Sequence, residues 1–268
     1  MAAVQVAPSP KMLSPDDDLL TRVTVRRTDQ IRPAAEALND YAASLGLRAA
    51  LCEDVSSSET MVDGEGTVLN GEVFGWLGDG ERWWEDHLLA LHSPLPRACR
   101  YESEPFWGNA DGFVSRFPNP YLDDIRSRRF FELQFHYSAA IVVPVHLPFG
   151  QVSANSFVSV DRGKADLSAE FAAYGEALGT LTRRFIASFV AVQRIKRRLP
   201  SDCELSRREV ECLRWASLGK TDREIGMIIA LSHATVRYHI NRAGEKLNSV
   251  NRAQTIFKAG QLGYLAAR

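Results

Sequence analysis

The sequence predicts an α+β domain followed by a small all-α domain, and three observations carry that reading. Two alternating apolar stretches, 138–146 and 152–160, are separated by little more than Pro148-Phe149-Gly150, the mark of an antiparallel strand pair with a tight turn. Apolar residues at 171, 174, 178, 181, 185, 189, 192 and 195 recur in threes and fours, one stripe along a helix of roughly seven turns. Beyond Pro200 the pattern changes to short amphipathic helices, each preceded by Ser or Thr.

The elements follow in order. Residues 1–20 open on small residues with Pro8, Pro10 and Pro15 and lack the basic start and apolar run of a signal peptide, so a disordered tail is expected. The larger domain covers 21–196. Ala34, Leu38, Tyr41 and Leu45 mark a helix over 32–45, stopped by Gly46. Strands are expected at 48–53 and 72–76 and a helix at 81–91. Residues 97–129 mix aromatics and prolines without a period, as loops walling a pocket do. Strands joined by a tight turn make an antiparallel sheet, whose faces helices must cover. Ser168 is placed to cap the long helix, whose stripe serves either its own sheet or a twin helix in a dimer. Pro200 stops that helix, which makes 197–204 a linker and 205–268 the second domain.

Composition narrows the function. At 45% hydrophobic and 24% charged, the chain is ordinary for a globular protein. No run approaches the roughly 18 apolar residues of a membrane span, and a cytoplasmic place is expected. Cys52, Cys99, Cys203 and Cys212 form no C-x-x-C pair and read as reduced thiols. His87 and His92 stand five apart, the wrong spacing for chelation from one helix face, while His136 and His146 read as core or rim residues. No metal, cofactor or catalytic residue is therefore expected, since no nucleophile-base pair or phosphate loop is readable. Net charge is −1 overall, but +4 from Ser201 onward and −5 before it. A basic module on an acidic one is the asymmetry of a chain that meets a polyanion at one end.

That basic module reads as a helix-turn-helix. Leu205, Val210, Leu213 and Ala216 line the inner face of a first helix, capped by Ser206 and stopped at Gly219. Thr221 caps a short helix over 222–229, Ala230-Leu231 makes the turn, and Ser232 caps a longer helix to 247. The second helix of such a pair enters the major groove. Its polar face carries Arg237, Tyr238, Asn241 and Arg242, and arginine and asparagine grip guanine and adenine bidentately. Lys220, Thr221, Thr235 and Lys246 complete the candidate DNA contacts. Double-stranded DNA with a roughly palindromic operator is the expected partner, together with a second copy of the chain and, as a further candidate, RNA polymerase.

The stretch E-L-S-R-R-E-V-E-C-L-R-W-A-S-L-G-K-T-D-R-E-I, then L-S-H-A-T-V-R-Y-H-I and E-K-L-N-S-V-N-R-A-Q, resembles the LuxR-type helix-turn-helix. The family's most constant positions fall on Glu209, Leu213 and Gly219, and its S-x-x-T-V signature on Ser232, Thr235 and Val236. The resemblance implies a fourth helix over 252–262 that packs under the motif and helps it dimerise. Gly226 stands where the family usually has alanine, a change costing ~1 kcal/mol of helix propensity.

The preceding residues resemble the autoinducer-binding domain of the quorum-sensing members, through W-W-E-D-H-L-L-A-L-H-S-P-L, E-P-F-W and A-A-I-V-V-P-V-H-L-P-F-G. That resemblance implies a sheet sandwiched by helices and a pocket for an acyl-homoserine lactone. The family's ligand pattern falls on Trp84 for its Tyr, Ser93 for its Asp, Trp107 for its aromatic and Ala140 for its Gly. The pattern's first Trp falls on Gly80, with Trp76 and Trp83 close by. Losing a carboxylate that accepts the ligand amide removes a charge-assisted bond. The expectation is a regulator that does not depend on a standard lactone; the alternatives are a conventional lactone-responsive regulator and a sensor of another small molecule. A phosphorylated receiver domain would need a parallel sheet, against which the 138–160 strand pair argues.

Overall fold

The computed structural model describes residues 15–56, 60–77, 93–133, 136–193 and 203–265. They divide into two compact units, the first within Met1–Leu147 and Gln151–Gln193 and the second within Arg194–Arg268 together with Pro148–Gly150. The helix expected at 81–91, residue Trp84 and most of the expected linker lie outside the described residues.

In the first unit α1 (Asp17–Arg22) is capped by Asp16, whose carboxylate accepts the Leu19 amide at 2.7 Å. Residues 15–20, expected within a disordered tail, are instead ordered, because Leu19 and Leu20 pack on the core and Val23 is fully buried; the rest of that stretch lies outside the described residues. Helix α2 (Ile31–Ser44) ends where Gly46 takes φ +70°, turning the chain into β1 (Leu47–Cys52).

The strand expected at 72–76 is absent, replaced by the single turn α3 (Leu69–Glu72) and a reversal at Gly75. The reason lies in β1, an edge strand whose free backbone is satisfied by side chains. Asn70 accepts the Leu51 amide at 3.0 Å and donates to the Leu51 carbonyl at 2.7 Å, while the Trp76 indole donates to Ala49 at 2.6 Å. Buried backbone groups need a partner, and here a second strand is not required to supply it.

After α4 (Pro94–Ala98) come β2 (Phe106–Asn109), β3 (Gly112–Ser115), α5 (Pro120–Asp123), α6 (Arg128–Leu133), β4 (Ala139–Leu147) and β5 (Gln151–Ser159). The sheet runs β1-β5-β4-β2-β3 with every neighbour antiparallel. The expected strand pair is its centre, in a register opposing Ile141 to Phe157 and Leu147 to Gln151. Paired residues share a face. Leu47, Ala49, Leu51, Ile141, Val143 and Phe157 therefore line one side, and Ala50, Cys52, Ala140, Val142, Ala154 and Ser156 the other.

Helix α7 (Ser168–Gln193) starts on Ser168 rather than being capped by it; the Ser168 amide donates to Asp166 at 2.8 Å. Of its stripe, Leu178, Leu181, Phe185 and Phe189 are buried and Phe171, Tyr174 and Val192 half-buried in the core of their own unit. Its outer side carries Glu176, Arg183 and Arg184. The unit's own core takes up the described part of this stripe, and Ile195 lies outside the described residues.

The second unit packs α8 (Arg207–Ser217), α9 (Asp222–Ile229), α10 (His233–Lys246) and α11 (Arg252–Gln261) around Leu213, Ile225, Val236, Ile240 and Leu247. Gly219, at φ +80°, ends α8 with paired bonds from its own amide to Ala216 at 3.0 Å and from Lys220 to Trp215 at 3.2 Å.

Candidate DNA interface

Three caps fix the helices that carry the site. The Ser206 amide donates to Glu209 at 2.7 Å while the Glu209 amide donates to the Ser206 hydroxyl at 3.4 Å. Thr221 and Glu224 repeat the exchange at 2.8 and 3.3 Å. Ser232 caps α10 by accepting the Thr235 amide at 3.0 Å. Each reciprocal box satisfies two helix-end donors, and the Thr221 bonds hold the Glu224 carboxyl below the usual carboxylate range.

The turn between α9 and α10 is tight. Ala230 adopts the left-handed conformation at φ 54°, and the Leu231 amide donates to the Gly226 carbonyl at 2.9 Å. A Cβ on Gly226 would lie 2.5 Å from the Leu231 carbonyl oxygen. The glycine is thus more than a weak point in a helix, because it permits this close approach.

Helix α10 buries Val236, Ile240, Ala243 and Gly244 and exposes Arg237, Tyr238, Asn241 and Arg242 on the opposite side. His233 and Ala234 extend the exposed face to the helix N-terminus. Sequence reasoning passed over them, although the first turn of a recognition helix is where base contacts concentrate. Arg237 is paired with Asp222 at 3.3 Å and Arg242 with Glu245 at 3.0 Å. Lys220, at the start of the motif, is half-buried.

The other candidates are engaged inside the fold. The Thr221 hydroxyl donates to Glu224 at 2.8 Å, and that of Thr235 shares a 2.8 Å bond with Ser232. Lys246 donates to Glu209 at 2.9 Å and to the Glu204 carbonyl at 3.0 Å, which makes it a tie between α10 and α8.

Of the ligand pattern, Ser93, Trp107 and Ala140 lie among the described residues. Ser93 is buried at the start of α4 and its hydroxyl makes no capping bond. Trp107 opposes Ile141 and Ala140 opposes Gly108, so Trp107 and Ala140 project from opposite faces of the sheet. On the Ala140 face stands Arg48, 4.0 Å over the Trp76 ring and donating to the Tyr137 hydroxyl at 2.8 Å. All four cysteines are free thiols; burial pushes Cys52 up to about 11 and Cys99 further. His146 Nε2 lies 2.8 Å from the Cys99 carbonyl, and His136 is exposed just before β4. No cluster of metal-ligating residues, and no helix long and apolar enough to cross a membrane, occurs among the described residues.

A capped short helix, a left-handed turn and a second helix with one buried and one polar face define a helix-turn-helix DNA-binding protein. Residues 204–259 match the family described as bacterial regulatory proteins, luxR family. The transcriptional activator protein AhyR of Aeromonas hydrophila is 30% identical over 181 residues, 67% of this chain and 67% of its own. The transcriptional activator protein LuxR of Aliivibrio fischeri (strain ATCC 700601 / ES114) is 47% identical over 62 residues, 23% of this chain and 25% of its own. In fold, the crystal structure of Escherichia coli SdiA is similar at TM-score 0.50 and 18% identity, covering 93% of this chain and 97% of that one. The chain belongs to the LuxR family of bacterial regulatory proteins, and is a transcriptional regulator rather than an enzyme.

Proposed function

We propose that the protein is a homodimer that reads a two-fold operator through α10, and that it does so without a standard acyl-homoserine lactone. The observation that carries DNA reading is the single polar face of α10, with Arg237, Tyr238, Asn241 and Arg242 set over buried Val236 and Ile240. Arg237 and Asn241 suit guanine and adenine edges, and Lys220 suits a phosphate. Residues from 205 onward form the DNA module and those up to 196 the sensor. Cytoplasm is the compartment of such a regulator, and RNA polymerase its further partner.

Dimerisation is assigned to α11. Ala253, Phe257 and Gly260 are exposed on it at helical spacing, with Val250 exposed just before it, Val250 at 87% and Phe257 at 63%. Ile256 and Leu262, on the other side, pack inward on their own unit. Two modules related by a two-fold axis read half-sites about one helical turn apart.

Independence from lactone rests on Ser93 in place of a carboxylate and on Trp84 and Ala140 as added volume. A second reading, a ligand of another class, is favoured by the small side chains of Ala50, Ala140, Ala154 and Ser156 along one sheet face. Operator affinity and melting temperature measured with lactones of varied chain length test this. Lactone-dependent DNA binding overturns the ligand reading, and sedimentation as a monomer at DNA-saturating concentrations overturns the dimer.

A further inference from the structure

We infer that Asp222 is a specificity-determining positioning residue, which holds the base-reading arginine of α10 in register through a carboxylate shared with α11. The inference rests on the proposed reading of DNA by Arg237 and goes beyond it. Asp222 is the first residue of α9, and its side chain is only 15% exposed. One of its oxygens accepts Arg237 Nε at 3.3 Å; the other accepts an Nη of Arg252, the first residue of α11. Arg252 donates its second Nη to the Lys220 carbonyl at 2.8 Å. Three helices are thereby tied at one carboxylate, and Arg252 extends the tie to the segment before α9.

The geometry matters because of which nitrogen is held. Arginine has five donors in a rigid planar fork, and guanine is gripped by two of them at O6 and N7. A carboxylate on Nε sets the plane of the guanidinium while the two terminal amino groups remain for the base. Fixing the fork in advance removes side-chain freedom that would otherwise be lost on binding.

A carboxylate beside a DNA-binding face also repels phosphate, so Asp222 works against non-specific affinity. Helix-dipole complementation at the α9 N-terminus would be served by any acidic or small polar residue. It does not require the 3.3 Å bond to an arginine 15 positions along the chain. The pairing with Arg237 and Arg252 is what a positioning role demands and a dipole role does not.

The test uses the full-length chain and an operator selected from a random DNA pool, with every base pair varied in turn. Asp222→Asn is expected to lower discrimination at the base pair read by Arg237 roughly tenfold. Affinity for unrelated DNA should hold or rise. In an Arg237→Ala background, Asp222→Asn should then change discrimination no further. Melting temperature controls for folding, and Asp222→Ser, which also suits a helix first turn, serves if the amide variant does not fold. Equal losses on cognate and unrelated DNA, or unchanged discrimination, would overturn the inference. If Arg237→Ala itself leaves discrimination intact, the reading by α10 fails instead, and the two failures are distinct.

Discussion

Lys246 donates its ammonium to Glu209 at 2.9 Å, joining the end of α10 to the first turn of α8 through a carboxylate that is almost fully buried. The same Glu209 oxygen accepts the Ser206 amide. Burial opposes ionisation of Glu209, but the bonds from Lys246 and Ser206 outweigh it and hold its pKa below the usual value.

Two consequences follow for stability. Lys246→Met should cost about 2–3 kcal/mol, less than a fully buried pair because the lysine keeps partial exposure. A depressed carboxylate pKa stabilises the fold above the unfolded value near ~4.3, and the gain fades as pH falls through the lower folded value. Urea melts of wild type and Glu209→Gln between pH 3 and 7 should diverge most at the neutral end.

Arg237 and Lys220 should separate base reading from phosphate anchoring. Arg237→Ala is expected to cost ~1–3 kcal/mol and relax one operator position, whereas Lys220→Ala weakens every sequence and lowers the salt slope by about one. Fluorescence anisotropy against a base-substitution panel at several salt concentrations resolves the two patterns.

Ala230→Gly should stabilise the second unit. Alanine at φ 54° carries a Cβ strain that glycine lacks, worth about 1 kcal/mol, which exceeds the unfolded-state entropy that glycine adds at an already left-handed position. Thermal melting should rise by a few degrees.

Asn70→Ala should lower stability by about 2–4 kcal/mol, since it leaves both the amide and the carbonyl of Leu51 buried without their partners. Amide hydrogen exchange at Leu51 should accelerate well beyond the change at the paired centre of β4 and β5.

Phe257→Glu should leave the monomer folded, because the ring is exposed, yet weaken the dimer and bind a single half-site as well as the full operator. Analytical ultracentrifugation and half-site titrations read these outcomes; an unaltered dimer would move the interface elsewhere.

The sequence by itself determined the features that depend on near neighbours. The central strand pair, the Gly46 and Gly219 stops, the three Ser/Thr caps and the two-faced α10 all follow from spacing, local hydrogen bonding and backbone sterics. Tertiary structure decided the rest. The residues at 72–76 have strand-like composition but turn, because Asn70 and Trp76 satisfy the edge of a strand twenty residues earlier. The stripe of α7 reads the same whether it meets a sheet or a twin, and only packing shows that the core takes it. The sequence offers Lys246 as a DNA contact and says nothing of its bond to Glu209, 37 positions away. Nothing near Asp222 in the chain announces that Arg237 and Arg252 converge on it. In each case the deciding partner is remote in sequence, and periodicity carries no information about which remote group a side chain will meet.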